Sequence, residues 1–402
     1  MEKIMYITDY IEGFPVVASV RYSDLMEQYN KVFDIIVIND SKYGDSNSKY
    51  SKENLKFYTG KLNFDVNNKK SNKNSFKDLF RQDWILKIWR NYKYSYGKFK
   101  RENDKNLKKI INTIESKKIK KVFITVPDVY SIYIAKYIKD VNKDVIVITE
   151  IRDILNHNIG KGNPRFIMKK AERIMLDISD GLIVLSEGIE DYYRKMDENK
   201  TIKLIKNGYN SQDFEGIDCT CKSKNEAIVL SHIGSIYKGR NIKDFIIALV
   251  EYSNEKNIKI IFNIVGFLDN EALNDLEKID DIVKKSKVSL NIIGTVEHKE
   301  AIEYLISSDI AVILTHISGS GYAIPGKTFE YIGAEKPILA VTNDKPLVQL
   351  INHKYGECAQ HNINDILEKL KIILDTSYDF QDKYKYTREF QAKEIIKFIK
   401  SY

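Results

Sequence analysis

The sequence predicts an α/β protein of two doubly wound domains facing a central cleft, and three observations predict it. Short runs rich in Ile, Val and Leu alternate with helical stretches through both halves, as in parallel strands buried under helices. The alternation breaks once, in the polar stretch 209–226 (YNSQDFEGIDCTCKSKNE), and then restarts. At 402 residues the chain has room for two or three domains of roughly 150 residues.

In the first half, Lys3 to Thr8 (KIMYIT) reads as a strand, followed by a Gly13/Pro15 loop, a helix over Ala18 to Tyr29 and a strand over Phe33 to Ile38. In an open sheet of this kind ligands bind at the carboxyl ends of strands, so the loop from Asp9 to Ser19 faces the cleft. Asp40 to Asn74 is polar and reads as loop. Phe76, Phe80, Trp84 and Ile88 then recur four apart along a helix, flanked by Lys77, Arg81, Lys87 and Arg90 and followed by Tyr92, Tyr94, Tyr96 and Phe99. Such a stripe either packs on a core or lies in a membrane interface, and cations around aromatics suit both. Lys105 to Lys118 reads as a charged helix, Val122 to Val126 as a strand, Tyr130 to Val141 as a helix and Asp144 to Thr149 as a strand. This last strand runs into Glu150-Ile151-Arg152-Asp153, which forms either a surface ion pair with a helix cap or a polar grip on a sugar. A helix over Arg165 to Ile178, a strand Leu182 to Leu185, a helix Ile189 to Lys195 and a strand Thr201 to Ile205 complete this half, ending in the turn Lys206-Asn207-Gly208.

The second half repeats the pattern. Strands are expected at Ala227 to Ile233, Ile258 to Val265, Val288 to Ile293, Asp309 to Leu314 and Pro337 to Val341, with helices at Lys243 to Tyr252, Glu271 to Lys284 and Glu300 to Ile306. Three of the strands close on Gly234, Gly266 and Gly294. The stretch Gly321 to Ala340 (GYAIPGKTFEYIGAEKPILA) carries most of the chemistry. Pro325 is suited to the first residue of a helix, with Gly326 and Lys327 in its first turn and Glu330 one turn on. A helix start with a lysine beside it offers free N–H groups and positive charge to a diphosphate, and Glu330 can accept hydrogen bonds from ribose or sugar hydroxyls. The same residues also fit an ordinary helix and strand unit punctuated by Gly and Pro.

Composition excludes several classes. Lys and Arg number 64 against 56 Asp and Glu, a net charge of +8, which does not by itself imply a nucleic-acid partner. Three cysteines (Cys219, Cys221, Cys358) make neither a disulfide framework nor a zinc pattern, and no stretch approaches the roughly 18 apolar residues of a membrane span. A cytoplasmic location is expected, with peripheral contact to the inner face of the cytoplasmic membrane through Phe76 to Arg101 if the aromatic stripe faces lipid. No Asp-x-Asp motif stands out, so no metal and no cofactor are expected.

The order GSIYKGRNIKDFIIAL, IVGF, IIGTVEHKEAIEYLISSDIAVIL and PGKTFEYIGAEKPILAV resembles the C-terminal, nucleotide-sugar-binding domain of GT-B glycosyltransferases, especially family 4 (group 1). ERIMLDISDGLIVLSEGIEDYYRK and LIKNGYN look like that family's last N-domain helix and strand and its interdomain Asn-Gly turn. The resemblance runs from about Val145 to the end. It implies two Rossmann-like domains: an acceptor-binding domain at 1–208, a donor-binding domain at 209–382, and a terminal segment 383–402 whose helix, Glu389 to Ile399, crosses back to the first. It implies a retaining, metal-independent transfer of a sugar from a UDP- or GDP-sugar to a cell-envelope glycan or lipid-linked acceptor. By the same resemblance Lys238 and Arg240 face the donor diphosphate after the Gly234 loop. Gly294, Val296 and Glu297 line the base, Gly319, Gly321, Gly326 and Lys327 lie under phosphates and sugar, and Glu330 holds the ribose. Glu150, Arg152 and Asp153 fall on the acceptor side.

The sequence departs from the family's pattern twice. Tyr322 stands where the first of two glutamates is usual, and the N-domain histidine has no clear counterpart, His157 lying further on. These departures admit a catalytically silent sugar-binding or scaffold protein, and a nucleotide-sugar epimerase of the same build is a second alternative.

Overall fold

The computed structural model describes residues 1–14, 17–43, 46–59, 83–156, 165–216, 227–237, 239–318 and 320–402, with the side chains of 17, 43 and 83–87 left aside. Lys238, Gly319, His157, Phe76, Phe80 and the Trp84 side chain, all singled out in the sequence, lie outside the described residues. The chain divides into two compact units. The first comprises Met1–Leu185, Ile189–Ile205 and Ala392–Tyr402, the second Ser186–Gly188 and Lys206–Gln391.

The first unit is built on a parallel sheet of seven strands: β1 Glu2–Thr8, β2 Phe33–Asp40, β3 Glu53–Phe57, β4 Lys121–Val126, β5 Ile146–Ile151, β6 Gly181–Val184 and β7 Ile202–Leu204. Their spatial order is β3-β2-β1-β4-β5-β6-β7. Helix α1 (Val17–Tyr29) lays Tyr22, Leu25, Met26 and Tyr29, spaced at helical period, against Ile4 and Tyr6 of β1 and Phe33, Ile35 and Val37 of β2. Ala392, Ile395 and Ile399 of the final helix complete this core, although they come last in the chain. Gly181 makes room for that helix, since a Cβ there would stand 2.9 Å from Phe398 Cζ. The remaining helices are α2 Asp83–Lys93, α3 Tyr96–Glu102, α4 Asp104–Lys117, α5 Val129–Val141, α6 Arg165–Ile178 and α7 Glu187–Arg194. One element corrects the sequence reading: β3 lies within 40–74, read as loop, because the edge strand ENLKF is largely polar, with Leu55 and Phe57 alone fully buried.

The second unit holds six parallel strands, β8 Ala227–Ile233, β9 Lys259–Val265, β10 Val288–Gly294, β11 Ile310–Leu314, β12 Ile338–Val341 and β13 Gly356–Ala359, in the order β10-β9-β8-β11-β12-β13. Helices α8 Ile242–Lys256, α9 Asn270–Lys284 and α13 Ile363–Asp375 cover one face. Helix α10 His298–Ile306, α11 Lys327–Gly333 and α12 Lys345–Ile351 cover the other, and α14 (Arg388–Lys400) ends the chain. Tyr209 and Phe214, read as linker, are buried in this second face with their rings edge to face at 5.6 Å. Two aromatics in a polar stretch lack the periodicity that would mark them as core. No described helix is long and apolar enough to cross a membrane.

Candidate functional site

In the second sheet β8 has β9 on one side and β11 on the other, so the loops leaving β8 and β11 emerge side by side at the switch of strand order. The backbone there is close-packed and nearly free of side chains. Gly234 (φ +119°) donates its N–H to Val265 O at 2.6 Å, and Gly266 (φ +138°) donates to Gly294 O at 2.7 Å. A Cβ on Gly266 would come within 2.5 Å of the Gly234 carbonyl. Gly294 (φ +82°) ends β10 with open space where a side chain would be. Beyond it Val296 is half-buried, and Glu297, exposed, precedes α10 without capping it.

Lys327 reaches across from α11 to this turn. Its Nζ lies 3.0 Å from Nε2 of His232, the penultimate residue of β8, and 3.3 Å from where a Gly234 Cβ would be. His232 has no exposed surface, and its Nδ1 is 3.0 Å from Val312 O of β11. A carbonyl only accepts, so Nδ1 carries the hydrogen and Nε2 accepts from the lysine. Burial, then the charges of Lys327 and Arg240, push the imidazole pKa well below its usual value, so the ring is neutral. Burial and Arg240 likewise push the Lys327 ammonium well below its ordinary range, with Glu330 pulling the other way.

Arg240 is held by backbone and ring. Its NH1 donates to Ser235 O at 2.7 Å, the guanidinium stacks 4.5 Å from the Tyr237 ring centre, and Tyr237 meets His316 edge-on at 5.8 Å. Its Nε is shielded from solvent and has no hydrogen-bond partner among the described residues. Among the described residues, no carboxylate pairs with either Arg240 or Lys327.

The loop between β11 and α11 is fixed from β12. Asp344 Oδ1 accepts from Ser320 N (2.6 Å), Ser320 Oγ (2.9 Å) and Gly321 N (2.7 Å), and Thr342 Oγ1 accepts from both Asp344 N and Thr315 Oγ1 at 3.0 Å. Tyr322 follows in this loop, and Gly321 (φ +75°) faces open space. The helix begins at Lys327, with Pro325 and Gly326 before it, two residues later than the sequence suggests; a Cβ on Gly326 would stand 3.3 Å from Asn207 Nδ2. Glu330, one turn on, makes no side-chain hydrogen bond among the described residues. Burial raises its carboxyl pKa against the lowering pull of His298, Arg388 and Lys327, with Asp213 adding to the rise.

In the first unit the predicted acceptor-side residues part company. Glu150 lies inside β5, not beyond it, and its carboxylate is locked to Arg21 of α1, side chains 1% and 5% exposed. That pair is almost wholly buried. Arg152 pairs with Asp9 at 3.2 Å, and Asp153 accepts from Ile154 N at 2.8 Å, closing a turn. Nearby, just past the end of β4, burial and Asp9 push the Asp128 carboxyl up to about 7, opposed by Lys42, and its Oδ2 is shielded without a partner among the described residues.

Sequence reasoning missed His232, Gly266's role, Tyr237 and Asp344. Only His232 left a signal: a histidine inside an apolar run two residues before a glycine.

The chain matches no family model and no curated protein sequence. Solved structures resemble it over nearly its whole length. The lipopolysaccharide outer core galactosyltransferase WaaB in its apo form superposes with a TM-score of 0.66 at 12% identity, covering 99% of each chain. Anabaena HepE in complex with UDP and glucose gives 0.55 at 13%, covering 98% of this chain and 94% of that one. The UDP-GlcNAc 2-epimerase of Methanocaldococcus jannaschii gives 0.54 at 12%, covering 100% of both. At such identities the likeness is one of fold: the chain has the GT-B fold of two Rossmann-like domains, with glycosyltransferases among its structural neighbours.

Proposed function

We propose that the second unit binds a nucleoside-diphosphate sugar and that the chain is a retaining glycosyltransferase acting on a cell-envelope glycan or lipid-linked acceptor. The observation that carries this is the placing of Arg240, in the loop after β8, and Lys327, at the start of α11, neither paired with a carboxylate among the described residues, beside glycine turns that let phosphate approach the backbone. The names of two neighbours, a galactosyltransferase and a protein in complex with UDP, support the same reading.

As the bond from the anomeric carbon to the diphosphate breaks, negative charge gathers on the departing phosphate oxygens. Arg240 and Lys327, already in place, stabilise that charge without reorganising, and losing one such contact costs on the order of 3 kcal/mol, about a hundredfold in rate. Glu330 has free acceptor capacity for ribose hydroxyls, and the Gly294 to Glu297 backbone lines the base. The acceptor hydroxyl attacks from the face the diphosphate leaves and passes its proton to a departing oxygen, so orientation suffices and no protein nucleophile is needed. In this reading the two cations take the place of a divalent metal.

The test is nucleoside diphosphate release from UDP- and GDP-sugars with glycan and lipid-linked acceptors. Acceptor-dependent release, retention in the product and full activity in excess EDTA are expected. Loss on chelation restored by Mg²⁺ or Mn²⁺ would refute metal independence. Interconversion of the donor sugar at C2 without transfer would favour the epimerase instead, and failure to bind any nucleotide would leave a silent scaffold.

We infer also that the first unit touches the inner face of the cytoplasmic membrane. Ile88 (60% exposed), Trp89 (55%) and Tyr92 (51%) of α2 stand in solvent with Phe166 (73%) of α6, the two helices being tied by Ile167 N–H on Asn91 Oδ1 at 3.3 Å. Lys93 lies 5.4 Å from the Trp89 ring centre and Arg101 donates to Tyr92 OH at 2.8 Å, and each cation near anionic lipid adds about 1 kcal/mol. The wild type should co-sediment with anionic vesicles and be released by salt. Staying in the supernatant at low salt would point to a soluble acceptor.

A further inference from the structure

We propose that His232 is the positioning residue of Lys327, and that a diphosphate binding at Lys327 takes up a proton from solvent. The inference rests on the nucleotide-sugar reading and names a property of that site. A lysine awaiting an anion is commonly held by a carboxylate, which keeps it charged and must be displaced by the ligand. Lys327 is held instead by an imidazole whose Nδ1–H is committed to Val312 O, so Nε2 can accept a hydrogen but brings no negative charge. The hold fixes where Nζ points, against the bare Gly234 turn, without adding a countercharge.

The charges around Nζ come from three elements. His232 of β8 is neutral. Arg240, from the loop after β8, repels. Glu330, one turn along α11, attracts, but its carboxyl is itself drawn upward by burial and shared with His298 and Arg388. Burial and Arg240 prevail, and the free protein favours the amine more than an ordinary lysine does. A nucleoside diphosphate brings negative oxygens against the same nitrogen and reverses the balance. The step is RNH₂ plus H⁺ giving RNH₃⁺, the proton coming from the buffer, with no bond to phosphorus made or broken. Because the bound state holds more protons, uptake is nil where both states are protonated and grows as pH rises through the free-state value. UDP affinity therefore weakens with rising pH over that window.

The experiment is calorimetric titration of the full chain with UDP in buffers of differing ionisation enthalpy. A pH of about 8.5 is chosen, roughly two units above the second phosphate ionisation, so that UDP itself releases no proton. The wild type should take up a fraction of a proton per UDP, and more at higher pH. K327R should still bind UDP with no uptake, since a guanidinium stays charged throughout. H232Q, whose amide oxygen can accept from Nζ, should keep affinity within about threefold; H232L, with its melting temperature checked, should bind about tenfold more weakly and shift the pH at which uptake begins. A merely structural histidine would not move that onset. Heats independent of buffer in the wild type, or uptake persisting in K327R, would overturn the proposal while UDP binding upheld the site. No binding of UDP or GDP at all would instead overturn the nucleotide-sugar reading and this inference with it.

Discussion

Replacing Arg240 by alanine separates a ligand-binding role from a structural one. Among the described residues the guanidinium is held by one carbonyl and one ring and faces no carboxylate, so within the protein it contributes little beyond its stacking on Tyr237, about 0.5–1 kcal/mol. Against that loss stands relief of its repulsion of Lys327. The melting temperature should therefore move little. A charge-assisted contact to a diphosphate is worth about 1.5–3 kcal/mol, which at about 1.4 kcal/mol per decade raises the UDP Kd roughly 10- to 150-fold. Removing Arg240 also lets the Lys327 pKa rise, so proton uptake on binding should shrink. Titration calorimetry with UDP, alongside a thermal melt, reads all three quantities. A Kd within about threefold of wild type with the fold intact would refute the diphosphate assignment, and a collapse of the melting temperature would show that Arg240 is part of the frame.

Gly266→Ala forces a side chain onto φ +138° and into the Gly234 carbonyl, so it should cost about 1–3 kcal/mol and weaken UDP binding; wild-type stability and affinity would contradict the close approach. Arg21→Met or Glu150→Gln alone should cost about 3–5 kcal/mol in urea unfolding, while Arg21→Met with Glu150→Leu should come out near neutral. Costs that simply add would argue against a coupled buried pair. Glu172 is fully buried, and burial raises its carboxyl pKa although Tyr192 OH (3.0 Å), Tyr193 OH (3.3 Å) and Asn156 N–H (3.1 Å) donate to it. A raised folded-state value means that its contribution is fully present below the unfolded pKa and is lost as pH rises through the folded one. Glu172→Gln should accordingly be more stable than wild type at neutral pH and flatten the decline as pH rises above the ordinary carboxyl range, as melts across that rise would show.

The apolar runs of β8 to β12 could be read directly because each is bounded by glycine or a charged turn. β3 and β13 could not: ENLKF and GECA are short edge strands that carry charged residues among few apolar ones, and neither period nor run length marks them. The glycine turns, Arg240 and Lys327 could be found in the sequence since glycine and a lone cation at a strand's end are local features. The partnership of Lys327 with His232 spans 95 positions and exists only because β11 lies next to β8, a matter of strand order that burial decides. Glu150 shows the opposite failure. Its neighbours Arg152 and Asp153 suggest a charged surface, yet its counterion is Arg21, 129 positions away.

That Ala392, Ile395 and Ile399 belong to the core begun by Ile4 and Tyr6 sets the order of folding during synthesis. The second unit, nearly continuous from Lys206 to Gln391, is complete in sequence as soon as its last residue clears the ribosome. The first unit was translated earlier, but it must wait with part of its hydrophobic face bare until residues 392–402 emerge. A chain ending at residue 391 and released from the ribosome should therefore resist protease in its second half while the first is cut, and chaperones should be found on the older part of the polypeptide.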